Sequence, residues 1–361
     1  MSEESNQTNN ATPALEVAPG PHIASRSLTT RRMMLDVLIG LLPVLAVAVW
    51  IFQWYAIRQL VLCVGACVAT EAVFTAIRRK PILIGDLSAV VTGVILALSL
   101  PGTAPWFVPI IGGVVAVGIG KVVFGGLGNN IFNPAMVGRA FVMIAFAGLL
   151  GATAYQAKTL PEGQEASALQ QWLGVPVQTA QTDLPDAMTG ATPMITWKDN
   201  HAAGGYEYPS MSRLLLGNIN GSLGETGALA CLLGGIYLCL RRTASWEIPL
   251  GVILGVAGWA AVANIGSATF LDEIGFHVLG GAVLFGAFFI ATDPVSSPLT
   301  PKGKFIFGLG IGLTVMLLRT FSAYPEGVMF AVLLMNGIVP LLNRWTIPKP
   351  FGGPVPAPVG K

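Results

Sequence analysis

The sequence predicts an all-α integral membrane protein of about ten transmembrane helices, arranged as two inverted five-helix repeats with some spans short or broken. Three observations carry that reading. Of 361 residues, 53% are hydrophobic and only 11% charged, where an ordinary soluble domain is about a quarter charged. Apolar runs near the length that crosses about 30 Å of hydrocarbon recur at 33–55, 59–77, 87–101, 106–124, 133–151, 223–240, 248–266, 276–292, 305–319 and 327–343. The two halves also share a pattern. Ala89-Val90, Gly93, Pro101 and Pro105 match Ala282-Val283, Gly286, Pro294 and Pro298 at a constant offset of 193, and Pro134 and Ala140 match Pro325 and Ala331 at 191. A unit of five spans is odd, so the second copy is inverted relative to the first, an arrangement that puts broken helices and ligands near the midplane.

In chain order, residues 1–30 read as a polar, disordered cytoplasmic tail, since they lack the apolar core and cleavage pattern of a secretory signal. Residues 31–151 form the first repeat, 152–222 an extracytoplasmic loop, 223–345 the second repeat, and 346–361 a cytoplasmic tail. The third span and the ninth, Phe305 to Arg319, are too short for a simple crossing and are expected to be re-entrant or broken. With the N-terminus in the cytoplasm, fourteen of the 20 Lys and Arg residues fall inside, among them Arg78, Arg79, Lys80, Lys121, Arg241 and Arg242. Five fall outside: Arg58, Lys158, Lys198, Arg213 and Arg319. The bias toward the cytoplasm fixes the expected orientation.

Several function classes drop out. The formal net charge of +2, with no basic tract interleaved with aromatics, gives no purchase on nucleic acid. Cys63, Cys67, Cys231 and Cys239 lie in apolar runs and form neither a metal motif nor a disulfide framework. His22, His201 and His277 are too scattered to ligate haem in a bundle.

Ionisable residues inside apolar runs cost a few kcal/mol on insertion and so need a partner, a water cavity or a role in moving ions. Glu71, Arg139 and Glu225 are of this kind, with an Arg139–carboxylate pair the plainest arrangement. Asp36, Asp86 and Asp293 sit near the cytoplasmic ends, where a solvated boundary position explains Asp36 and Asp293.

Two loops carry further signals. Gly125 to Pro134, GGLGNNIFNP, joins the fourth and fifth spans. Its asparagines could offer amides to a heterocycle, or Asn133 could simply cap a helix that has Pro134 at its first position, and spacing does not choose. The outer loop contains Asp186 followed by Thr189-Gly190-Ala191-Thr192. A threonine behind glycine and alanine is sterically open to a modifying enzyme, but the tetrapeptide alone is weak.

Taken with Gly85-Asp86-Leu87-Ser88-Ala89, Gly128 to Gly138, Gly221 to Thr226, Thr292-Asp293-Pro294 and Tyr324 to Gly327, these motifs resemble those of the RnfD proteins of the Rnf electron-transport complexes. That family is close to the NqrB proteins of the sodium-pumping NADH:quinone oxidoreductases. The resemblance runs from about Arg31 to Gly352. It implies FMN joined through a phosphoester to Thr192 by a flavin transferase, with Asp186, Thr189, Gly190 and Ala191 as the recognition frame. It also implies riboflavin near Asn129, Asn130 and Asn133, and an ion path drawing on Asp86, Glu225 and Asp293, to which Glu71 and Arg139 are added as buried candidates. The implied setting is a bacterial inner membrane, with both termini cytoplasmic and the flavin loop periplasmic. The implied activity is electron relay between ferredoxin and NAD coupled to Na+ or H+ translocation, the chain counting as part of an enzyme within its complex. Partners would be the other Rnf subunits, a second flavoprotein and iron–sulfur subunits among them, besides membrane lipid. The short region before Met33 and the ending Pro348 to Gly352 favour Rnf over the quinone reductase. A non-redox channel or transporter built on the same repeat is the alternative of another class.

Overall fold

The computed structural model describes residues 29–79, 84–102, 104–150, 159–160, 178–179, 192–201, 208–217, 221–266, 269–322, 324 and 326–347. Almost all of the described structure is helical. The only strands among the described residues are a parallel pair of two residues each, β1 (Thr159–Leu160) and β2 (Gln178–Thr179). Helix α1 (Thr30–Phe52) starts where the Thr29 hydroxyl accepts from the Arg32 N–H at 3.3 Å. It ends at Gln53, whose φ of 49° reverses the chain directly into α2 (Trp54–Ile77). A short 3-10 turn (Ile84–Asp86) leads into α3 (Ser88–Ser99), which is buried at nearly every position and stops just before Pro101. Helix α4 (Phe107–Val117) widens into a π turn (Gly118–Val122) in which the Val123 N–H reaches back to the Gly118 carbonyl. Helix α5 (Pro134–Ala145) and a single turn, α6 (Ala147–Leu150), complete the first half.

Two short helices follow, α7 (Pro193–His201) and α8 (Met211–Leu216). The second half then comprises α9 (Ala228–Leu240), α10 (Glu247–Ala263), α11 (Phe270–Leu279), α12 (Val283–Phe285 with a π turn, Gly286–Ile290), α13 (Pro301–Phe321) and α14 (Val328–Thr346). Helices α1, α2, α13 and α14 are long and apolar enough to cross a membrane, and the bent pair α11–α12 makes a fifth if counted as one span. Five more apolar helices, α3, α4 with its π turn, α5, α9 and α10, have 10–17 residues. Large apolar side chains such as Leu42, Val61, Leu240, Val262 and Phe321 stand exposed on this bundle. With so little charge to cover them, the chain is a multi-pass membrane protein.

Small residues set the tightest packing. On α10, Gly251 and Gly255 face Gly308 and Gly312 of α13, each pair one helical turn apart. A Cβ on Gly308 would stand 2.3 Å from the Ile248 carbonyl oxygen, and one on Gly312 2.4 Å from that of Val252. Lipid gives no hydrophobic drive for helix pairing, so backbone-to-backbone approach of this kind does the holding.

The eighth apolar run is broken within its length. Helices α11 and α12 meet at 53° across Gly280 and Gly281, the latter at φ +70°. The expectation for the ninth span is corrected: α13 is one unbroken helix of 21 residues. Its start lies upstream of the apolar run, where the Thr300 hydroxyl accepts from the Gly303 N–H at 3.1 Å and Pro301 takes the first position. At its other end, Arg319 is 1% exposed rather than a loop charge.

Candidate functional site

Three groups of polar side chains interrupt this apolar body. The first is at the head of α7. Thr192 is half-buried and caps the helix: its carbonyl accepts from the N–H groups of Ile195 (2.9 Å) and Thr196 (3.1 Å), and its Oγ1 lies 3.3 Å from the Ile195 N–H. Pro193 at the first position has no N–H to satisfy, which makes Thr-Pro a natural start. Helix α7 is pinned to the bundle. Met194 and Trp197 are buried with Leu214 and Phe276, and the Trp197 ring meets His277 edge-on at 4.7 Å between centroids. Lys198 Nζ donates to the carbonyls of Ser322 and Tyr324 at the end of α13. Partial burial lowers the pKa of that ammonium from the ordinary lysine value, with Asp199 opposing. The rest of the outer-loop motif, Asp186, Thr189, Gly190 and Ala191, lies outside the described residues.

Beneath α7 lies a buried ionic cluster. Arg139 of α5 is 3.2 Å from Glu225 and 4.0 Å from Glu326, while Glu225 also accepts from the Ser222 N–H at 3.2 Å. Arg319 donates to the carbonyls of His277 (2.8 Å) and Gly280 (3.0 Å), and Glu326 accepts from the Ala282 N–H at 3.3 Å. The broken helix therefore has its freed backbone groups met by side chains, a carbonyl end by a cation and an amide end by an anion, as an interior without water requires. Arg139 has the carboxylate partner expected of it. Sequence reasoning missed Glu326 and the role of Arg319. The available signal was a Gly-Gly pair inside one apolar run together with a single arginine inside another.

The third group lines a cavity at the opposite end of α13. Its walls include Met33, Met34, Val37, Val91, Ile95, Leu238 and Phe289, and its polar members include Ser88, Thr92, Lys121, Asn130, Asn133, Thr243 and Asp293. Lys121, counted in the sequence only as a cytoplasmic charge, is 2% exposed because the π turn carries it inward. Its Nζ is 2.5 Å from Glu71 Oε1 and 2.6 Å from Ser88 Oγ, and Ser88 Oγ donates to Asp86 Oδ1 at 2.7 Å. Asp86 also accepts from the Ser88 N–H at 2.8 Å, starting α3.

The three asparagines separate cleanly. Asn133 is committed to structure: Oδ1 caps α5 through the Met136 N–H, and Nδ2 donates to the Ile290 carbonyl. Asn129 is exposed. Asn130 is buried, donates from Nδ2 to the Phe132 carbonyl, and keeps its Oδ1 without a partner among the described residues. A neutral ring with an N–H at its edge fits that acceptor and the apolar walls. Asp293 accepts from the Val295 N–H (3.3 Å) and Ser296 Oγ (2.8 Å), holding a turn at the cavity rim. Asp36 corrects the boundary expectation. It is 6% exposed and takes bonds from Tyr237, Arg241 and Thr243, tying α1 to the end of α9.

Residues 16–352 match the NQR2, RnfD, RnfE family. The D subunit of the Na(+)-translocating ferredoxin:NAD(+) oxidoreductase complex of Acetobacterium woodii is 39% identical over 340 residues, covering 94% of this chain and 95% of its own. The D subunits of the ion-translocating oxidoreductase complexes of Halorhodospira halophila and Stutzerimonas stutzeri are 39% and 40% identical, covering 93% and 89% of this chain and 95% and 92% of theirs.

Proposed function

The chain belongs to the NQR2, RnfD, RnfE family, and on that premise we propose that it is the D subunit of an Rnf-type complex, relaying electrons between ferredoxin and NAD through FMN esterified to Thr192. The relay is coupled to Na+ or H+ translocation, and the other subunits, iron–sulfur and flavin-bearing, exchange electrons with the soluble partners. A flavin, when bound, supplies the redox chemistry, and the protein supplies its position and electrostatics.

The observation that carries this reading is the Thr192 hydroxyl at the head of α7. A phosphate ester on that oxygen meets the positive end of a helix and its first-turn N–H groups, an interaction of about 0.3–1 kcal/mol. Trp197 and Lys198 hold α7 to the bundle, so a group on Thr192 is carried at a fixed height above the Arg139–Glu225 cluster. At the far end, Asn130 Oδ1 and the apolar walls suit a second, non-covalent flavin, with Asn133 shaping the turn rather than touching the ring.

The proposed topology is ten spans in two inverted repeats, with both termini cytoplasmic and Thr192 on the periplasmic face. Corresponding contacts support it. Helix α2 packs on α4 and α4 on α5, as α10 does on α13 and α13 on α14, while α1–α9 and α5–α14 join the halves. In each half a basic residue ends on the segment leading the third span: Lys121 on Ser88, and Arg319 on Gly280, beside Gly281, which the offset of 193 pairs with Ser88.

The test is co-expression with a flavin transferase, followed by a denaturing gel viewed for flavin fluorescence. The wild-type band glows and the Thr192→Val band does not. A dark wild-type band, with the transferase active on a control, removes the covalent flavin and leaves a non-redox transporter as the better reading.

A further inference from the structure

Lys121, Ser88, Asp86 and Glu71 form a continuous chain of hydrogen bonds that begins at the half-buried Asp86 and ends inside the cavity wall. The links are Asp86 Oδ1 to Ser88 Oγ at 2.7 Å, Ser88 Oγ to Lys121 Nζ at 2.6 Å, and Lys121 Nζ to Glu71 Oε1 at 2.5 Å. Ser88 and Lys121 both line the cavity. An ammonium has three N–H bonds, and the two described contacts of Nζ leave one for the cavity. Glu71 Oε2 is buried without a partner among the described residues, so the carboxylate is held for the lysine alone. A π turn, a distortion that is frequent at functional sites, is what brings Lys121 here from α4.

A salt bridge that served only to hold α2 against α4 would need neither the serine nor a surface carboxylate behind it. We propose that Asp86, Ser88 and Lys121 are a proton relay from the cytoplasmic surface to the redox ring bound in the cavity. This inference rests on the reading of the cavity as a flavin site. As electrons from the other subunits reach the ring, an N–H bond of Lys121 breaks and its proton bonds to a ring nitrogen made basic by reduction. The Ser88 hydroxyl then gives its proton to the lysine amine and takes one from the Asp86 carboxyl, which draws it from solvent. On re-oxidation the proton returns along the same chain. Glu71 keeps its hydrogen bond to Lys121 Nζ and holds the side chain in line with Ser88.

The experiment uses the purified whole complex. Acid extraction first measures the flavin that is not covalently bound, and stopped-flow absorbance in H2O and D2O then follows formation of the protonated, reduced ring. Ser88→Ala keeps the wild-type content of extractable flavin but slows that phase at least tenfold, and Ser88→Thr, which restores a hydroxyl, recovers it. Small weak acids speed the Ser88→Ala protein and leave the wild type unchanged. A wild-type complex that releases no flavin overturns the reading of the cavity itself. Full flavin content with an unchanged rate in Ser88→Ala overturns the relay and leaves the cavity reading standing. Lys121→Met paired with Glu71→Gln, which leaves no charge buried alone, slows the same phase. If it retains flavin and the wild-type rate, the relay is likewise overturned.

Discussion

Arg139 and Glu225, 86 positions apart in the chain, meet at 3.2 Å with side chains only 9% and 4% exposed. The contact ties the middle of α5 to the segment that leads into α9, so it joins the two halves of the bundle. Removing one partner strands the other as a buried charge, which costs about 3–5 kcal/mol. Arg139→Met should therefore lower the thermal midpoint of the detergent-solubilised protein sharply, and adding Glu225→Gln should recover part of the loss. A single variant as stable as the wild type would show that the pair is solvated.

Glycine packing between α10 and α13 makes a sharper contrast. In Gly308→Ala the new methyl would stand 2.3 Å from the Ile248 carbonyl oxygen, so the helices must separate. Overpacking of this kind costs roughly 1–3 kcal/mol. Gly258→Ala, on the same α10, has nothing within 4 Å and should be neutral or mildly stabilising. Equal melting curves for the two variants would contradict the packing described.

Asn130 and Asn133 should part company on substitution. Asn133→Ala removes a helix cap, at about 0.5–2 kcal/mol, and a bond to the Ile290 carbonyl, which keeps the Asp293 N–H, at about 0.5–1.5 kcal/mol, so expression and stability fall. Asn130→Ala gives up a single bond to Phe132 and should fold normally while losing extractable flavin. Stability and flavin content measured side by side decide this, and the opposite assignment would refute it.

The docking of α7 depends on a 6%-exposed tryptophan. Trp197→Ala removes a core-sized ring, a change of about 3–5 kcal/mol in a packed interior. The local contacts of α7 should give way before the bundle does. The expected readout is faster proteolysis between residues 192 and 217 at an unchanged global melting point, and equal cleavage rates would mean that Lys198 alone holds the helix.

Apolar runs located the long helices α1, α2, α13 and α14, because burial in lipid demands such runs, but read the bent pair α11–α12 as one span. What the runs could not convey was which charges belong to helix ends and which to the interior. Lys121 sits next to a polar loop in sequence, and only a change of backbone pitch between Gly118 and Val122 turns it inward. Arg319 closes an apolar run and reads as a boundary residue, yet its acceptors are carbonyls some 40 positions earlier, exposed by a bend at Gly280. Asp36 was misplaced for the same reason, since its partners Tyr237, Arg241 and Thr243 come from the other half of the chain. Asn133 was legible as a cap from the Asn-Pro pair, whereas the spare acceptor on Asn130 depends on a fold around it.

The shortness of half the helices bears on how the protein is made. A helix of twelve residues such as α3 or α5 reaches about 18 Å at 1.5 Å per residue, well short of the roughly 30 Å of hydrocarbon. Leaving the insertion machinery alone, such a segment would drag polar loop backbone into lipid. It becomes a tolerable resident only once longer neighbours surround it, so α3 must wait beside the α1–α2 hairpin. Insertion and folding of this chain are then a single process, and a substitution that loosens helix packing should appear first as degraded nascent protein rather than as an inactive mature one.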